Sequence, residues 1–320
     1  MDDLTRHVDG RFAAISKLPI FLDLAGRRAV LAGNTAGLAW KAELIAAAGA
    51  HVQVLAPAPG PEIEALVARG SSSGTLTLHR RGWTPEDLAG AAIAVADLDD
   101  HEQARAFKAA GVLAGVIVNT IDKGATCDFY FGAIVSRTPI IIGMTTDGTA
   151  PILGQAMRRK VELTLPVWLG DWADLARRIR GHVKQRLAPG AQRRAFWEDF
   201  TERAFAAPPD AGTQAGVLAR IDGIVAATPA RGTGSLRTIV AQADADALTL
   251  GDIKAMQAAD LILEEPGLSP QVRAFFRREA TILRLGDTGQ PGSMSPDAAH
   301  ARIHADLARG LRIVQMLKAS

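Results

Sequence analysis

The chain has 320 residues, of which 48% are hydrophobic and 22% charged, and its formal net charge is +2. This length predicts two or three domains with sizeable cores, and the composition is typical of a soluble globular protein. Because the net charge is small, it excludes a general affinity for polyanions, and any anion preference must be local.

The cysteine content and the N-terminus indicate a cellular compartment. Cys127 is the only cysteine, which excludes an intrachain disulfide framework and favours a reducing environment. Residues 1–7 are charged and lack the apolar core of a signal peptide. No apolar run approaches the ~18 residues of a membrane-spanning helix. We therefore expect a soluble, cytoplasmic protein.

Short apolar runs alternate with helix-length stretches through residues 1–150. The sequence predicts strands at 28–32, 51–56, 75–79, 91–96, 112–118 and 139–144. Helical patterns separate several of these runs, at 38–48 and 100–110 for example. Strands that alternate with helices predict a Rossmann-like, parallel, doubly wound α/β sheet.

The pattern becomes helical after Pro151. Helices are predicted at 152–165, 168–187 and 189–205, within a helical region that we place at 151–210. Residues 156–200 hold ten Lys or Arg against five Asp or Glu. Such a bias is most often a solvated helix face, and the functional alternative is a cradle for a polycarboxylate or phosphate ligand.

Two linker-like stretches, 206–212 and 228–235, precede a smaller C-terminal segment. We place the linker at 211–235 and a small α/β segment at 236–320. Its predicted strands are 236–240, 261–263 and 281–285, with helices between them and at 296–309.

The apolar run at 115–118 ends in Asn119-Thr-Ile-Asp122. A carboxylate at this position lies at the carboxyl end of a strand, which is the edge where open α/β sheets bind ligands. Asp122 is therefore a candidate functional residue. The alternative is that it only caps the turn, since aspartate favours turns through local hydrogen bonds.

The segment Gly33-Asn-Thr-Ala-Gly37 follows a strand and precedes a helix, the position of a dinucleotide-binding fingerprint. Thr35 replaces the second glycine of that fingerprint, which normally lets the backbone approach the pyrophosphate. The threonine side chain could block this approach, or its hydroxyl could donate to a phosphate oxygen. The seven histidines are scattered, so the sequence predicts no metal site.

Several further motifs occur in a fixed order. They are Leu-Pro-Ile-Phe-Leu-Asp-Leu at 18–24, Gly33 to Lys41, Val-Leu-Ala-Pro at 54–57, Asn-Thr-Ile-Asp at 119–122, Ile-Val-Ser-Arg-Thr-Pro at 134–139, Thr-Asp-Gly-Thr-Ala-Pro at 146–151 and Arg-Arg-Ala-Phe-Trp at 193–197. Together they resemble the precorrin-2 dehydrogenase and sirohydrochlorin ferrochelatase domain of sirohaem synthase, from Leu18 to about Phe200.

This resemblance implies NAD-dependent oxidation of precorrin-2 to sirohydrochlorin, with Asp122 as the catalytic carboxylate. It leaves open whether the chain also inserts Fe²⁺, as a substrate, into the macrocycle. It implies a homodimer that binds tetrapyrroles, without nucleic-acid or membrane partners. For the tetrapyrrole, the candidate residues are Asn119, Arg158 and Arg159. For NAD, they are Gly33, Asn34, Thr35, Ala36, Gly37, Pro57 and Ala58.

Departures from the family pattern support a different class of function. Asn34 and Thr35 stand where the family usually has glycines, and Ala36 matches a position that is often acidic. The alternative is therefore a non-catalytic tetrapyrrole-binding or assembly protein with a degenerate NAD loop.

The C-terminal segment resembles part of a second family. Residues 234–320 are similar to the opening half of a uroporphyrinogen-III methyltransferase module, with Ala-Gln-Ala-Asp at 241–244 in place of its glycine-rich loop. We expect a truncated methyltransferase-like segment that binds no S-adenosylmethionine.

Overall fold

The computed structural model describes residues 15–188, 191–226, 234–242, 245–286 and 293–319. These residues form two compact units. The first unit contains the described residues of Ala14–Ser136 and Ile141–Thr164, and the second contains those of Arg137–Ile140 and Leu165–Ser320. Across the described ranges, no helix is long and apolar enough to cross a membrane.

The first unit contains a five-stranded parallel sheet with helices between its strands. The strands are β1 (Arg28–Ala32), β2 (His51–Leu55), β3 (Thr75–His79), β4 (Ile93–Ala96) and β5 (Ile117–Thr120). The helices are α1 (Ala36–Ala47), α2 (Pro61–Arg69) and α3 (His101–Ala114). The strand order is β3-β2-β1-β4-β5, so the order reverses between β1 and β4. This confirms the predicted Rossmann-like sheet. The carboxyl ends of β1 and β4 form its switch point, the edge at which sheets of this class bind ligands.

Both faces of this sheet are buried, because alternate residues of each strand point to opposite sides. Leu31 and Val95 pack in a core that includes residues of α1 and α2. Their neighbours Ala32 and Ala96 pack on the other face, where Phe107 of α3 is fully buried. The continuous apolar character of β1 and β4 follows from this double burial.

Two predicted strands differ from the structure. In the run 112–118, α3 continues to Ala114, Gly115 ends the helix in the left-handed conformation (φ 67°), and β5 begins only at Ile117. The run 139–144 contains β7 (Ile140–Met144), which pairs with β6 (Ala133–Arg137) in a separate two-stranded sheet. A parallel strand needs a long crossover connection, usually a helix, and only a short 3₁₀ turn at Gly124–Thr126 lies between β5 and β6. Helix α4 (Pro151–Thr164) follows β7.

The second unit begins with three helices, α5 (Leu169–Arg186), α6 (Ala191–Ala206) and α7 (Thr213–Ala226). Their shared core contains Ile179 of α5, Phe196 of α6 and Ile221 of α7. The structure differs here from the expected linker at 211–235, because α7 occupies much of it. Helix α7 forms because Val217, Ile221 and Ile224 recur at helical spacing and are buried against the other two helices. Residues 227–233 lie outside the described residues.

A second, smaller parallel sheet completes this unit, as the sequence predicts. Its elements are β8 (Ser235–Ala241), α8 (Leu250–Ala258), β9 (Leu261–Glu264), α9 (Pro270–Arg273), β10 (Thr281–Leu285), β11 (Ser293–Met294), α10 (Pro296–Ala308) and β12 (Arg312–Lys318). The strand order is β11-β10-β9-β12-β8. Residues 241–244 are predicted to stand where the methyltransferase family has its glycine-rich loop. Positions 243 and 244 of this segment lie outside the described residues. The absence of S-adenosylmethionine binding stays a prediction.

Ion pairs connect α6 to the second sheet. Arg194 Nη1 lies 2.6 Å from Asp260 Oδ2, and the side chains are only 23% and 15% exposed. The same carboxylate oxygen accepts a hydrogen bond from the backbone N–H of Arg312 at 2.9 Å. Asp260 therefore holds the start of β9, the start of β12 and α6 together.

We expect Asp260→Ala to lower the free energy of unfolding by roughly 2 kcal/mol, because it leaves a largely buried guanidinium without its carboxylate. Urea denaturation followed by circular dichroism measures this change. The matched control is Asp222→Ala, which removes an exposed ion pair with Arg186 (2.7 Å, side chains 61% and 47% exposed) and should cost less than about 1 kcal/mol. Equal losses in the two variants would contradict the anchoring role of Asp260.

Candidate functional site

The candidate site lies at the carboxyl edge of the first sheet, on both sides of the switch between β1 and β4. The loop 33–37 follows β1, Asp97 follows β4, and Asp122 lies two residues beyond β5. The Asp97 backbone N–H donates to Ala32 O at 2.8 Å, which joins the ends of β1 and β4. The strand order therefore brings together three segments that are far apart in the sequence.

Two glycines allow the backbone segments at this edge to approach closely. Gly33 has φ 136°, and a Cβ there would lie 2.5 Å from the carbonyl oxygen of Asp97. A Cβ on Gly60, at the start of α2, would lie 2.3 Å from the carbonyl oxygen of Asn34. Any side chain at either position would force the segments apart. The two glycines thus bring the loop against both the end of β4 and the turn between β2 and α2.

The remaining residues predicted to bind the cofactor border this loop. Pro57 and Ala58 are exposed in the turn between β2 and α2. Ala36 and Gly37 are the first two residues of α1. Neither backbone N–H donates a hydrogen bond within the part of the chain that the structure describes. Two N–H groups at the N-terminus of α1 are therefore available to an anion.

Thr35 is the N-cap of α1. Its hydroxyl oxygen accepts a hydrogen bond from Leu38 N–H at 3.2 Å and donates one to Oδ2 of Asp97. The same carboxylate oxygen lies 3.9 Å from the position that a Cβ on Gly37 would occupy. The threonine proton is thus already bound, and a carboxylate lies beside the N–H groups that would bind a phosphate.

Lys41 places a positive charge beside this carboxylate. It is half-buried on α1, with Nζ 5.2 Å from the ring centroid of Phe131 and 5.3 Å from that of Trp40. Burial lowers the pKa of Lys41, and the charges of Asp122 and Asp97 oppose that shift. The ammonium is therefore within electrostatic reach of both strand-end carboxylates.

Lys41 belongs to one of the sequence motifs but is not among the residues predicted for the site. The available signal is a basic residue four positions after Gly37, on a helix whose other members are mostly Ala and Leu. At this spacing, Lys41 lies on the same face as the N-terminal turn of α1.

Asp122 is exposed and has a left-handed backbone (φ 58°). The turn itself is closed by the backbone, where Lys123 N–H donates to Thr120 O at 3.2 Å. Among the described residues, no hydrogen bond or ion pair to the Asp122 carboxylate is found. The carboxylate is therefore accessible to a ligand, and the turn does not depend on it as a cap.

Asn119, in β5, and Cys127 form hydrogen bonds that stabilise the end of this strand. Asn119 is 6% exposed, and its Nδ2 donates to Phe129 O at 2.9 Å. Its buried Oδ1 has no hydrogen-bond partner in the described part of the chain. Cys127 Sγ donates to Thr120 O at 3.2 Å. Because Asn119 Oδ1 is buried, contact of Asn119 with a tetrapyrrole stays a prediction.

Arg158 and Arg159 lie on α4. Arg158 Nη1 donates to Glu162 Oε1 at 2.7 Å, one turn along the same helix, and Arg159 is exposed. No hydrogen bond or ion pair joins either arginine to Asp122 or Lys41 in the described ranges. Neither arginine therefore bonds directly to this part of the site, and their contact with a tetrapyrrole stays a prediction. The described residues also contain no group of three or more His, Cys, Asp or Glu that could hold a metal ion.

Comparisons with known proteins match separate parts of the chain. Residues 20–133 match the family of putative NAD(P)-binding domains, and residues 168–222 match the sirohaem synthase dimerisation region. The sirohaem synthase of Ectopseudomonas mendocina is 31% identical over 306 residues, which cover 93% of this chain and 64% of that protein. The chain is therefore similar in sequence to the sirohaem synthases over most of its own length. Those of Azotobacter vinelandii (33% identical; 84% of this chain and 57% of theirs) and Pseudomonas fluorescens (33%; 93% and 64%) are similar to it as well.

The matches to sirohaem synthases correspond to elements of the fold. The NAD(P)-binding match covers all five strands of the first sheet, and the dimerisation match covers α5, α6 and most of α7. The chain spans less than two thirds of the length of these sirohaem synthases. A solved structure, the precorrin-2 dehydrogenase SirC, aligns with 65% of this chain and all of its own, with a TM-score of 0.47 and 18% identity.

Proposed function

We propose that this protein catalyses the NAD-dependent oxidation of precorrin-2 to sirohydrochlorin. The observation that carries this proposal is the arrangement of Lys41, Asp97 and Asp122 beside a glycine-containing loop at the switch point of a Rossmann-like sheet. This edge is where doubly wound sheets bind dinucleotides. The match to putative NAD(P)-binding domains and the similarity to sirohaem synthases support it.

The loop fits the pyrophosphate of a dinucleotide in part. The free N–H groups of Ala36 and Gly37 would bind phosphate oxygens. The close approach of Gly33 to the carbonyl oxygen of Asp97 holds the loop against the end of β4. The negative charge of Asp97 would repel the phosphates, whereas the positive charge of Lys41 would attract them. NAD bound here would supply the hydride acceptor.

Asp122 supplies the other half of the oxidation, which removes a proton together with the hydride. Its carboxylate is exposed and free of internal hydrogen bonds among the described residues, so it can reach a proton on a bound macrocycle. Lys41 places a positive charge within electrostatic reach of this carboxylate. We propose Asn119, Arg158 and Arg159 as contacts to the tetrapyrrole.

The same carboxylate supports a second activity, insertion of Fe²⁺ as a substrate into sirohydrochlorin. Metal insertion requires a base that removes the pyrrole protons, and an exposed strand-end carboxylate can perform this step. We also propose a homodimer formed through α5–α7, on the basis of the match to the dimerisation region. Purified protein incubated with precorrin-2 and NAD tests the oxidation through NADH absorbance, and later addition of Fe²⁺ tests insertion.

The hydrogen bond between Thr35 and Asp97 favours a second candidate, the non-catalytic tetrapyrrole-binding or assembly protein. It occupies the threonine proton and holds a negative charge at the N-terminus of α1. In such a protein the sheet and its edge carboxylates persist, while NAD no longer binds. NAD affinity therefore distinguishes the two candidates.

We expect Asp97→Asn to tighten NAD binding by roughly three- to ten-fold, because it removes a negative charge beside the pyrophosphate and keeps an acceptor for Thr35. Calorimetric titration measures the affinity, and quenching of Trp40, which is 50% exposed, reports binding at the loop when compared with Trp40→Phe. Asp99→Asn is the matched control, since it removes an exposed carboxylate two residues away. Absence of NAD binding in both the wild type and Asp97→Asn would favour the non-catalytic protein.

A further inference from the structure

The turn between β2 and α2 follows the second strand of the first sheet. In doubly wound sheets, a carboxylate near the end of this strand accepts a hydrogen bond from the 2′-hydroxyl of the adenosine ribose of NAD, whereas an arginine nearby accommodates the 2′-phosphate of NADP. Residues 56–61 of this chain, Ala-Pro-Ala-Pro-Gly-Pro, contain neither type of side chain. Discrimination between the two cofactors therefore requires a residue from outside this turn.

Glu62 is the first acidic residue after β2, and it lies in the first turn of α2. Its Oε2 lies 3.5 Å from the position that a Cβ on Gly60 would occupy, and Asn34 O lies 2.3 Å from the same position. The close approach at Gly60 thus brings the Glu62 carboxylate beside the loop 33–37, on which the proposed pyrophosphate site depends.

A cavity of about 250 Å³ between α1 and α2 contains both the start of this loop's helix and Glu62. Ala36, whose N–H is free to bind a phosphate, lines the cavity together with Ala39 and Trp40. Glu62 lines it from α2. These residues lie within the range 20–133 that matches NAD(P)-binding domains, and outside the match to the dimerisation region. The carboxylate and the phosphate-binding N–H group therefore border one open space.

The Glu62 carboxylate is not engaged within the protein. Its side chain is exposed, and it forms no hydrogen bond or ion pair with any other described residue. A carboxylate without partners offers its oxygen atoms to the hydroxyl groups of a ligand.

Three arginines near the turn are, in contrast, already paired with carboxylates. The pairs are Arg69 with Glu43, Arg80 with Glu64 and Arg81 with Asp87, at 2.7, 2.8 and 2.6 Å. Arg69 lines the same cavity as Glu62. Arg80 and Arg81 follow β3, which is joined to the turn by a hydrogen bond of 3.0 Å from Ala56 N–H to His79 O. A 2′-phosphate would have to compete with these carboxylates for each guanidinium group.

We infer that Glu62 selects NAD over NADP, an inference that rests on the proposed function. Its carboxylate would accept a hydrogen bond from a ribose hydroxyl, and a charged acceptor makes such a bond strong. NADP carries a phosphate in place of the 2′-hydroxyl, so it lacks this donor. The phosphate also brings roughly two negative charges at neutral pH, which the charge of Glu62 would repel.

Calorimetric titration of the full chain with NAD and with NADP tests this selection. We expect the wild type to bind NAD at least roughly ten-fold more tightly than NADP, and Glu62→Gln to lower this ratio at least roughly five-fold. Glutamine keeps the size of the side chain, and residue 62 is exposed, so the variant should fold normally. Glu62→Arg should bind NADP more tightly than the wild type does, because it replaces a repelling charge with an attracting one.

Glu102→Gln is the matched control. Glu102 is also an exposed glutamate in the first turn of a helix at this edge of the sheet. Its helix, α3, follows β4 and packs on the opposite face of the sheet from α1 and α2. The substitution should change the ratio of NAD to NADP affinity less than about two-fold.

The outcomes separate this inference from the proposed function. If NAD binds but the wild type accepts NADP equally well, the inference is wrong and the proposed function stands. The same holds if the ratio is unchanged in both Glu62 variants, or if Glu102→Gln changes it as much as Glu62→Gln does. If the wild type binds neither dinucleotide, the proposed function is wrong and the inference is overturned with it.

Discussion

Asp122→Asn should lower the rate of precorrin-2 oxidation by ~10²–10⁴, the usual contribution of a general acid–base group. Asparagine keeps the size of the side chain and tolerates the left-handed backbone of this turn better than alanine does. It cannot accept the proton that oxidation releases. Because the carboxylate is exposed and forms no hydrogen bond among the described residues, the midpoint of thermal unfolding should stay the same.

Asp147→Asn is the control for the backbone, since Asp147 is also left-handed (φ 55°). It should lose only a partly exposed ion pair with Lys17, at 2.9 Å, which contributes little to stability. NAD affinity should be unchanged in Asp122→Asn, which separates a defect in proton transfer from a defect in cofactor binding. A variant that keeps more than about half of the wild-type rate would exclude Asp122 as the base.

Lys41→Met should make the protein less active and more stable. The substitution leaves Asp97 and Asp122 without their shared cation, so we expect NAD affinity and oxidation rate together to fall roughly ten-fold. Burial lowers the pKa of Lys41, which means that the charged lysine costs stability in the folded state. Methionine removes this cost, and the midpoint of thermal unfolding should rise at neutral pH.

The pH dependence of this gain has a definite sign. Since the folded pKa of Lys41 lies below its usual value of 10.5, the folded protein releases the lysine proton at lower pH than the unfolded chain does. The cost is therefore fully present at neutral pH and is relieved as pH rises through the folded pKa toward 10.5. The stability difference between Lys41→Met and the wild type should shrink over that range. Unfolding midpoints measured at several pH values test this trend.

Lys41→Arg is the matched control, because it keeps the positive charge between the two carboxylates. It should retain most of the NAD affinity and show no gain in stability. Full activity in Lys41→Met would contradict an electrostatic role for Lys41. Loss of activity in both variants at unchanged stability would instead indicate that the shape of the lysine side chain is required.

The sequence alone determines the layered α/β architecture, because the strands and helices of this architecture follow from local patterns of apolar residues. The first and third strands begin and end where the apolar runs predict, at Arg28–Ala32 and Thr75–His79. The glycine-containing loop and Asp122 also lie at the predicted strand ends. Burial of a strand on both faces requires a continuous apolar run, and such a run is visible without any knowledge of its neighbours.

The tertiary structure alone decides what depends on distant partners. The run at 139–144 is as apolar as a central strand, yet it pairs with β6 because no helical crossover returns it to the first sheet. The segment 211–235 resembles a linker in sequence, but much of it forms a helix because Val217 and Ile221 are buried against α5 and α6. The hydroxyl of Thr35 donates its hydrogen bond to Asp97, 62 residues further along the chain. Lys41 likewise becomes a site residue only when the order of β1, β4 and β5 brings both strand-end carboxylates to its helix, because electrostatic interactions depend on distance in space and not on separation in sequence.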